Sequence, residues 1–114
     1  MNISDEVIRC ADLWLDGAVS DMYKDQPLAQ DWARTAKVAE EVGEAIAALI
    51  GWSGQNPRKG VTHELKELLG ELADCMVTGV LAIQHFTKDS ESTLEIVQAS
   101  FDKLAGRIPV EYIS

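Results

Sequence analysis

The chain has 114 residues, 46% of them hydrophobic and 25% charged, which is the composition of one globular domain. Its formal net charge is −9 and its ten Lys and Arg residues are scattered, which argues against nucleic acid as a partner. No apolar run is long enough for a membrane span and the N-terminus lacks a signal-peptide pattern, so a cytoplasmic protein without membrane contact is expected.

Capping signals mark the first two predicted helices. Ser4, followed by Asp5 and Glu6, predicts the start of a helix that runs to about Tyr23. Its apolar stripe consists of Val7, Ala11, Trp14, Ala18 and Met22. A proline at position 27 suits the first turn of the second helix, which is predicted from Leu28 to about Trp52. The stripe of this helix consists of Leu28, Trp32, Thr35, Ala39, Val42, Ile46 and Leu49.

A polar turn separates the second helix from two further helices. Thr62 is the predicted cap of the third helix, with Glu64 in its first turn. This helix is apolar on nearly all sides from Leu72 to Ile83, so we expect it to be the most buried element. Asp89 or Ser90 caps the fourth helix, whose apolar stripe is Leu94, Val97, Phe101 and Leu104. With no alternating apolar pattern, the sequence predicts an all-α fold, a four-helix bundle.

The second and third predicted helices each carry two acids three residues apart. The second helix has Glu41 and Glu44, and the third has Glu71 and Asp74. At 3.6 residues per turn, each pair has the same angular offset from the apolar stripe of its own helix. The mean residue number of Glu41 and Asp74 is 57.5, and so is that of Glu44 and Glu71. A chain that folds back midway between the two helices therefore brings the two pairs level.

The alternative is an exposed acidic face without a ligand, and Lys37 supports it because this lysine can pair with Glu40 and Glu41 one turn away. Two observations favour a cation site instead. Glu44 and Asp74 stand among apolar neighbours, where a bare carboxylate is costly to bury. Apart from Lys37, no Lys or Arg lies one turn beyond the acids. An all-oxygen ligand set selects magnesium, manganese or calcium, and the lack of a Glu-x-x-His pattern disfavours a di-iron centre.

The two acidic segments also resemble a known family. Glu40-Glu41-Val42-Gly43-Glu44, followed by Glu71-Leu72-Ala73-Asp74, is similar to the E-E-x-x-E … E-x-x-D signature of the MazG-like all-α nucleoside triphosphate pyrophosphohydrolases. The similarity covers the central half of the chain, from about Trp32 to His85, including the Asn56-Pro57-Arg58-Lys59-Gly60 turn. It implies magnesium-dependent hydrolysis of a (deoxy)nucleoside triphosphate to the monophosphate and pyrophosphate, with manganese as a substitute, in nucleotide-pool house-cleaning. It also implies a bundle completed by a homodimer or homotetramer.

The resemblance implies a role for each acid of the signature. Carried over by position, the metal ligands are Glu41, Glu44, Glu71 and Asp74. Glu40 is the catalytic candidate, because it stands one residue before a ligand and can reach a metal or orient the attacking water. Basic residues are expected to bind the phosphates that the metals do not reach, although each alone is equally explained as a surface cation. The candidates are Lys37, Arg58, Lys59, Lys103 and Arg107.

A second function class stays open at this point. The chain can be a non-catalytic interaction or regulatory module that uses the acids for a structural divalent metal. Glu40 favours the enzyme, because a purely structural site needs no acid beyond the four ligands. A phosphoribosyl-nucleotide is a further substrate that the same metal chemistry can serve. Trp14, Trp32 and Trp52 can stack on a base, although Trp32 lies on an apolar stripe and is expected in the core.

Overall fold

The structure, a computed structural model, describes residues 3–113. Within that range it contains four α-helices and no strand, which confirms the all-α prediction. The helices are α1 (Asp5–Val19), α2 (Pro27–Ser53), α3 (Leu65–Thr87) and α4 (Ser90–Ala105), followed by a short 3₁₀ turn, Val110–Tyr112. The third helix, α3, packs against all three of the others, and α1 also packs against α4. None of the helices in residues 3–113 combines the length and apolar character needed to cross a bilayer.

The helix ends follow the capping signals with two exceptions. Pro27 occupies the first turn of α2 and Gly54 ends that helix in the left-handed conformation, with φ of 70°. The first helix ends at Val19 rather than near Tyr23, because the chain turns there towards α2. The third helix is capped by Glu64 instead of Thr62. The Glu64 N–H donates to Glu67 Oε1 at 3.1 Å, which is one half of a capping box.

The α2–α3 hairpin has the register that the acid spacing predicts. At its open end, His85 Nε2 lies 2.7 Å from Asp31 Oδ1, a pair whose mean residue number is 58. Further along, Arg34 donates to the carbonyl oxygen of Leu81 at 3.1 Å, with a mean of 57.5. These contacts do not involve the signature acids, so they confirm independently that the chain folds back near residue 57.

The buried face of α1 differs from the predicted one. Its buried residues are Ile8 and Asp12, whereas Trp14 on the predicted stripe is 72% exposed. Trp32 is 70% exposed, so its expected place in the core is wrong as well. As expected, α3 has the largest share of buried and half-buried residues among the helices, although the first half of the stretch from Leu72 to Ile83 is largely exposed. The apolar stripes of α1, α2 and α3 are therefore only partly covered by the chain itself.

The total surface reflects this incomplete burial. The chain exposes 8419 Å², whereas a compact monomer of its mass exposes roughly 6,200 Å². Its radius of gyration is 17.5 Å, against about 13 Å for a compact domain of this length. The single chain thus leaves about 2,200 Å² more surface uncovered than a typical monomer does.

Candidate metal centre

Three of the four predicted metal ligands converge between α2 and α3. One carboxylate oxygen from each of Glu41, Glu44 and Glu71 lies within 4.8 Å of the others. The spacing of three residues places Glu41 and Glu44 on one side of α2, and the hairpin register brings Glu71 of α3 beside them. Asp74 lies near enough to affect Glu41 electrostatically but stands outside this group of three.

Burial divides the acids differently from the sequence-based expectation. Glu44 and Asp74, which were expected to be buried among apolar neighbours, are exposed. The acids turned towards the helix interface are Glu41, whose side chain is only 13% exposed, and Glu71. One member of each pair faces the opposite helix and the other faces outward, because residues three apart differ by about 60° around the helix.

The electrostatics of this cluster are those of crowded negative charge. Partial burial raises the pKa of Glu41, and the charges of Glu44 and Asp74 raise it further, against a lowering by Lys37. The pKa of the neighbouring Cys75 thiol is also raised, first by burial and then by the charges of Glu41 and other acids of the cluster. Four carboxylates thus repel one another across a partly buried contact.

Glu40 and Lys37 form a separate pair at the edge of the cluster. Lys37 Nζ lies 3.0 Å from Glu40 Oε2 and 3.8 Å from Glu41 Oε1. The hydrogen bond to Glu40 raises the pKa of Lys37. Glu40 itself is 57% exposed and points its carboxylate at the lysine rather than into the group of three. This is the pairing expected of a solvated acidic face. Within residues 3–113, however, Lys37 is the one cation that pairs with any of the five signature acids.

One oxygen of the cluster has no partner. Glu71 Oε2 is buried and receives no hydrogen bond from any described residue. A buried carboxylate oxygen left unpaired carries a large desolvation cost, so it calls for a donor or a cation. The atoms around it that could bind a metal are all carboxylate oxygens, a ligand set that suits magnesium, manganese or calcium. The residues present therefore fit a hard divalent cation.

An apolar cleft of about 350 Å³ lies beside the cluster, between α1, α2 and α3. Trp14 and Tyr23 line its α1 side, and Lys37 and Thr78 line the part nearest the acids. The α2 residues Gln30, Arg34, Lys37 and Glu41 recur at spacings of four, three and four, so they share one face of that helix. The cleft and the acidic cluster are thus neighbours along one face of α2.

The remaining basic candidates are spread over two places. Arg58 and Lys59 lie exposed in the turn after α2, and Lys59 lines a second cavity there. Lys103 and Arg107 lie exposed near the end of α4, a helix that packs against α1 and α3. In the part of the chain that the structure describes, none of these four forms an ion pair. Of the basic candidates, only Lys37 contacts the acids directly.

A second polar cluster, which the sequence reading missed, lies between α1, α2 and the end of α3. Asp12 is 2% exposed and receives Arg34 Nη2 at 3.0 Å and Lys88 Nζ at 2.9 Å. Asp16 receives the same two cations, at 3.0 and 2.7 Å. Partial burial acts to lower the pKa of Lys88, but the hydrogen bonds to both aspartates raise it overall.

Asp12, Asp16 and His85 also come within 4.8 Å of one another, so they meet the geometric requirement for a metal site. Two cations of the chain already neutralise the aspartates, and His85 is engaged by Asp31, so a metal has no free ligand there. The only sequence signal was Asp12 and Asp16 one turn apart. Their partners lie 14 to 76 residues away, beyond the reach of helical spacing.

Comparisons of this chain with protein-family models, with curated proteins and with solved structures gave no match.

Proposed function

We propose that the protein is a magnesium-dependent nucleoside triphosphate pyrophosphohydrolase of the MazG-like all-α type. The observation that carries the proposal is the unpartnered Glu71 Oε2, buried beside Glu41 and Glu44. The E-E-x-x-E … E-x-x-D signature supports it, because three of its five acids, Glu41, Glu44 and Glu71, converge. The net charge of −9 supports a role for cations too, since an acidic protein needs them to hold a polyphosphate.

Glu41, Glu44, Glu71 and Asp74 hold the magnesium, with manganese as a substitute. Bound divalent cations supply charge neutralisation for phosphate oxygens and lower the pKa of a water ligand. Glu41 and Glu71 provide the inner, partly buried oxygens, and the exposed Glu44 and Asp74 close the site from outside. Removing any one of the four would leave the cation with fewer ligand oxygens and less compensating negative charge.

The reaction adds one water across the anhydride bond between the α- and β-phosphates, giving a nucleoside monophosphate and pyrophosphate. Glu40 accepts the proton that the water loses, which requires its carboxylate to leave Lys37. Lys37 is then free to pair with a phosphate oxygen. Exposure of both side chains permits this exchange of partners, since an exposed pair holds its geometry weakly.

The apolar cleft receives the nucleoside. The aromatic faces of Trp14 and Tyr23 suit stacking on a base, and Lys37 marks the end of the cleft from which the phosphates continue to the acids. Gln30 in the same cleft offers amide donors and acceptors for a base edge, although its Nε2 is held by Asp16 Oδ1 at 2.8 Å.

A second copy of this chain completes the fold as a homodimer or a pair of dimers. The support is the surface excess of about 2,200 Å² per chain, which in a dimer corresponds to an interface of the obligate size class. The exposed stripe residues on α2 and α3 provide an apolar face for such contact. They are Val42, Ile46, Leu49, Leu65, Leu69, Leu72 and Met76.

The test is release of pyrophosphate from a panel of ribo- and deoxynucleoside triphosphates in magnesium. We expect turnover of at least one triphosphate, loss of turnover in Glu44→Ala and retention in Glu95→Ala. The control removes the same charge from an exposed position on α4 that has no part in the cluster. Equal turnover by wild type and Glu44→Ala would refute the site assignment.

The exposed apolar stripes favour a second candidate, a non-catalytic interaction module with a structural divalent metal. This candidate predicts magnesium-dependent melting and normal oligomerisation, with no hydrolysis of any nucleotide in the panel. The enzyme predicts the same melting behaviour together with hydrolysis. Glu40→Gln distinguishes the two candidates further. In the enzyme it lowers turnover, whereas in a non-catalytic module it leaves melting and oligomerisation unchanged.

A further inference from the structure

The turn between α2 and α3 is packed firmly onto the end of α2. Thr62 N–H donates to the Gly51 carbonyl oxygen at 2.8 Å, and Gly60 N–H donates to Asn56 O at 2.8 Å. Gly51 is buried under the turn, and any side chain there would overlap the His63 ring and the Thr62 hydroxyl. A glycine at position 51 is therefore a condition of this packing, which fixes the polar turn in one place.

This packing forms an open cavity of about 330 Å³. Ala47, Ile50 and Gly51 line it from α2, and the turn contributes polar groups. These groups are Asn56, Lys59, Thr62 and His63. Thr62 Oγ1 and His63 Nδ1 lie 2.9 Å apart, so the hydroxyl and the ring orient each other. Lys59 has no carboxylate within 4.0 Å among residues 3–113, which leaves its ammonium group available for an anion.

The cavity lies further along α2 than the acids do. Ala47 lies three residues beyond Glu44 and Gly51 lies seven beyond it, which places them about 4.5 and 10.5 Å further along the helix axis. Gly51 is also within about 20° of Glu44 around the helix. Along α2 the order is therefore apolar cleft, acidic cluster and polar cavity. A nucleoside triphosphate has the corresponding order of base, inner phosphates and outer phosphates.

We propose that this cavity binds the β- and γ-phosphates of the substrate, and hence the pyrophosphate product, through Lys59, with Thr62 and His63 as hydrogen-bonding partners. The proposal rests on the proposed function for the class of ligand. It assigns a direction to the substrate, with the base towards α1 and the terminal phosphate towards the turn. A cation is needed here because the acids that hold the metal otherwise make this surface negative.

The test is calorimetric binding of inorganic pyrophosphate to the full chain in magnesium, compared with a nucleoside monophosphate. Lys59→Ala is expected to weaken pyrophosphate binding by roughly ten- to a hundredfold, the range for loss of a charge-assisted hydrogen bond. Monophosphate binding is expected to stay the same, and Lys59→Arg is expected to restore pyrophosphate binding. The matched control is Lys66→Ala, which removes an exposed lysine of α3 that pairs with Glu64.

The outcomes separate this subsite from the hydrolytic function. Pyrophosphate binding that depends on Lys59 supports the subsite even if no triphosphate is hydrolysed. Hydrolysis with unchanged pyrophosphate binding in Lys59→Ala overturns the subsite and leaves the function standing. Equal weakening by Lys59→Ala and Lys66→Ala also overturns it, because that result reflects net charge alone. In a hydrolysing protein, the subsite further predicts a higher KM for triphosphate in Lys59→Ala.

Discussion

The two acidic clusters of this protein both bring carboxylates together but differ in how their charge is balanced. Asp12 and Asp16 each receive Arg34 and Lys88, so two cations meet two aspartates. Among residues 3–113, the cluster of Glu41, Glu44 and Glu71 has only Lys37 at its edge, and the buried Glu71 Oε2 has no hydrogen-bond partner. The charges of the first cluster are paired within the chain, whereas those of the second are largely unpaired among the described residues, which is why we propose a cation there.

A structural charge network and a candidate ligand site differ in how their carboxylates are paired. Convergence of acids is common to both, so geometry alone does not separate them. Two features distinguish the clusters: the number of cations that pair with the acids, and the presence of a buried carboxylate oxygen without a hydrogen bond. Buried charges that are paired hold a fold together, and those left unpaired cost stability until a ligand arrives.

The largest expected effect is on turnover. Glu71→Gln should lower kcat at least about a hundredfold, because it removes the inner ligand oxygen of the metal site. Asp12→Asn should leave turnover per folded molecule unchanged, since its cluster takes no part in the chemistry. The measurement is pyrophosphate release normalised to the folded fraction. Equal losses in both variants would remove the distinction between the clusters.

The next effect is on stability. Arg34→Met should lower the free energy of unfolding by about 3 kcal/mol, because it deprives the buried Asp12 of one of its two cations. Urea unfolding at a fixed protein concentration gives the value. Combining Arg34→Met with Asp12→Asn should recover part of the loss. A double variant no better than Arg34→Met would show that the two charges are not coupled.

A smaller effect is expected from magnesium. At a hundredfold excess over its dissociation constant, magnesium should stabilise the folded protein by about 2.7 kcal/mol, since the dispersed acids of the unfolded chain do not bind it. A thermal scan should therefore show a higher melting temperature with magnesium than with chelator. The rise should persist in Asp16→Asn and vanish in Glu71→Gln. A rise that depends on Asp16 would place the ion in the wrong cluster.

The smallest effect is a pH dependence of the metal-free protein. The raised pKa of Glu41 means that the folded state binds its proton more tightly than the unfolded chain does. Its contribution to stability is therefore fully present below the ordinary glutamate pKa and is lost as the pH rises through the raised value. In chelator, unfolding at several pH values should show this decline in wild type and a shallower one in Glu41→Gln. The prediction would be contradicted if the free energy of unfolding rose with pH over this window in wild type but not in Glu41→Gln.

The acidic hairpin was predictable from the sequence because its information is local and periodic. Two helices, a turn and the residue spacing are sufficient to set the register, and the Asp31–His85 and Arg34–Leu81 contacts agree with it. The inner and outer acids were assigned in reverse, with Glu44 expected inside. Apolar neighbours in sequence do not determine burial, since they surround a residue on all sides of the helix and only one side meets α3.

Spacing along the chain was enough to predict the helices, the hairpin register and the convergence of Glu41 and Glu44 with Glu71. The tertiary structure alone decided which face of α1 is buried and where the cations lie. Ile8 and Asp12 face inward instead of Trp14 because Arg34 and Lys88, distant in sequence, neutralise the aspartates there. Such pairings depend on the packing of whole helices, and no spacing within one helix encodes them.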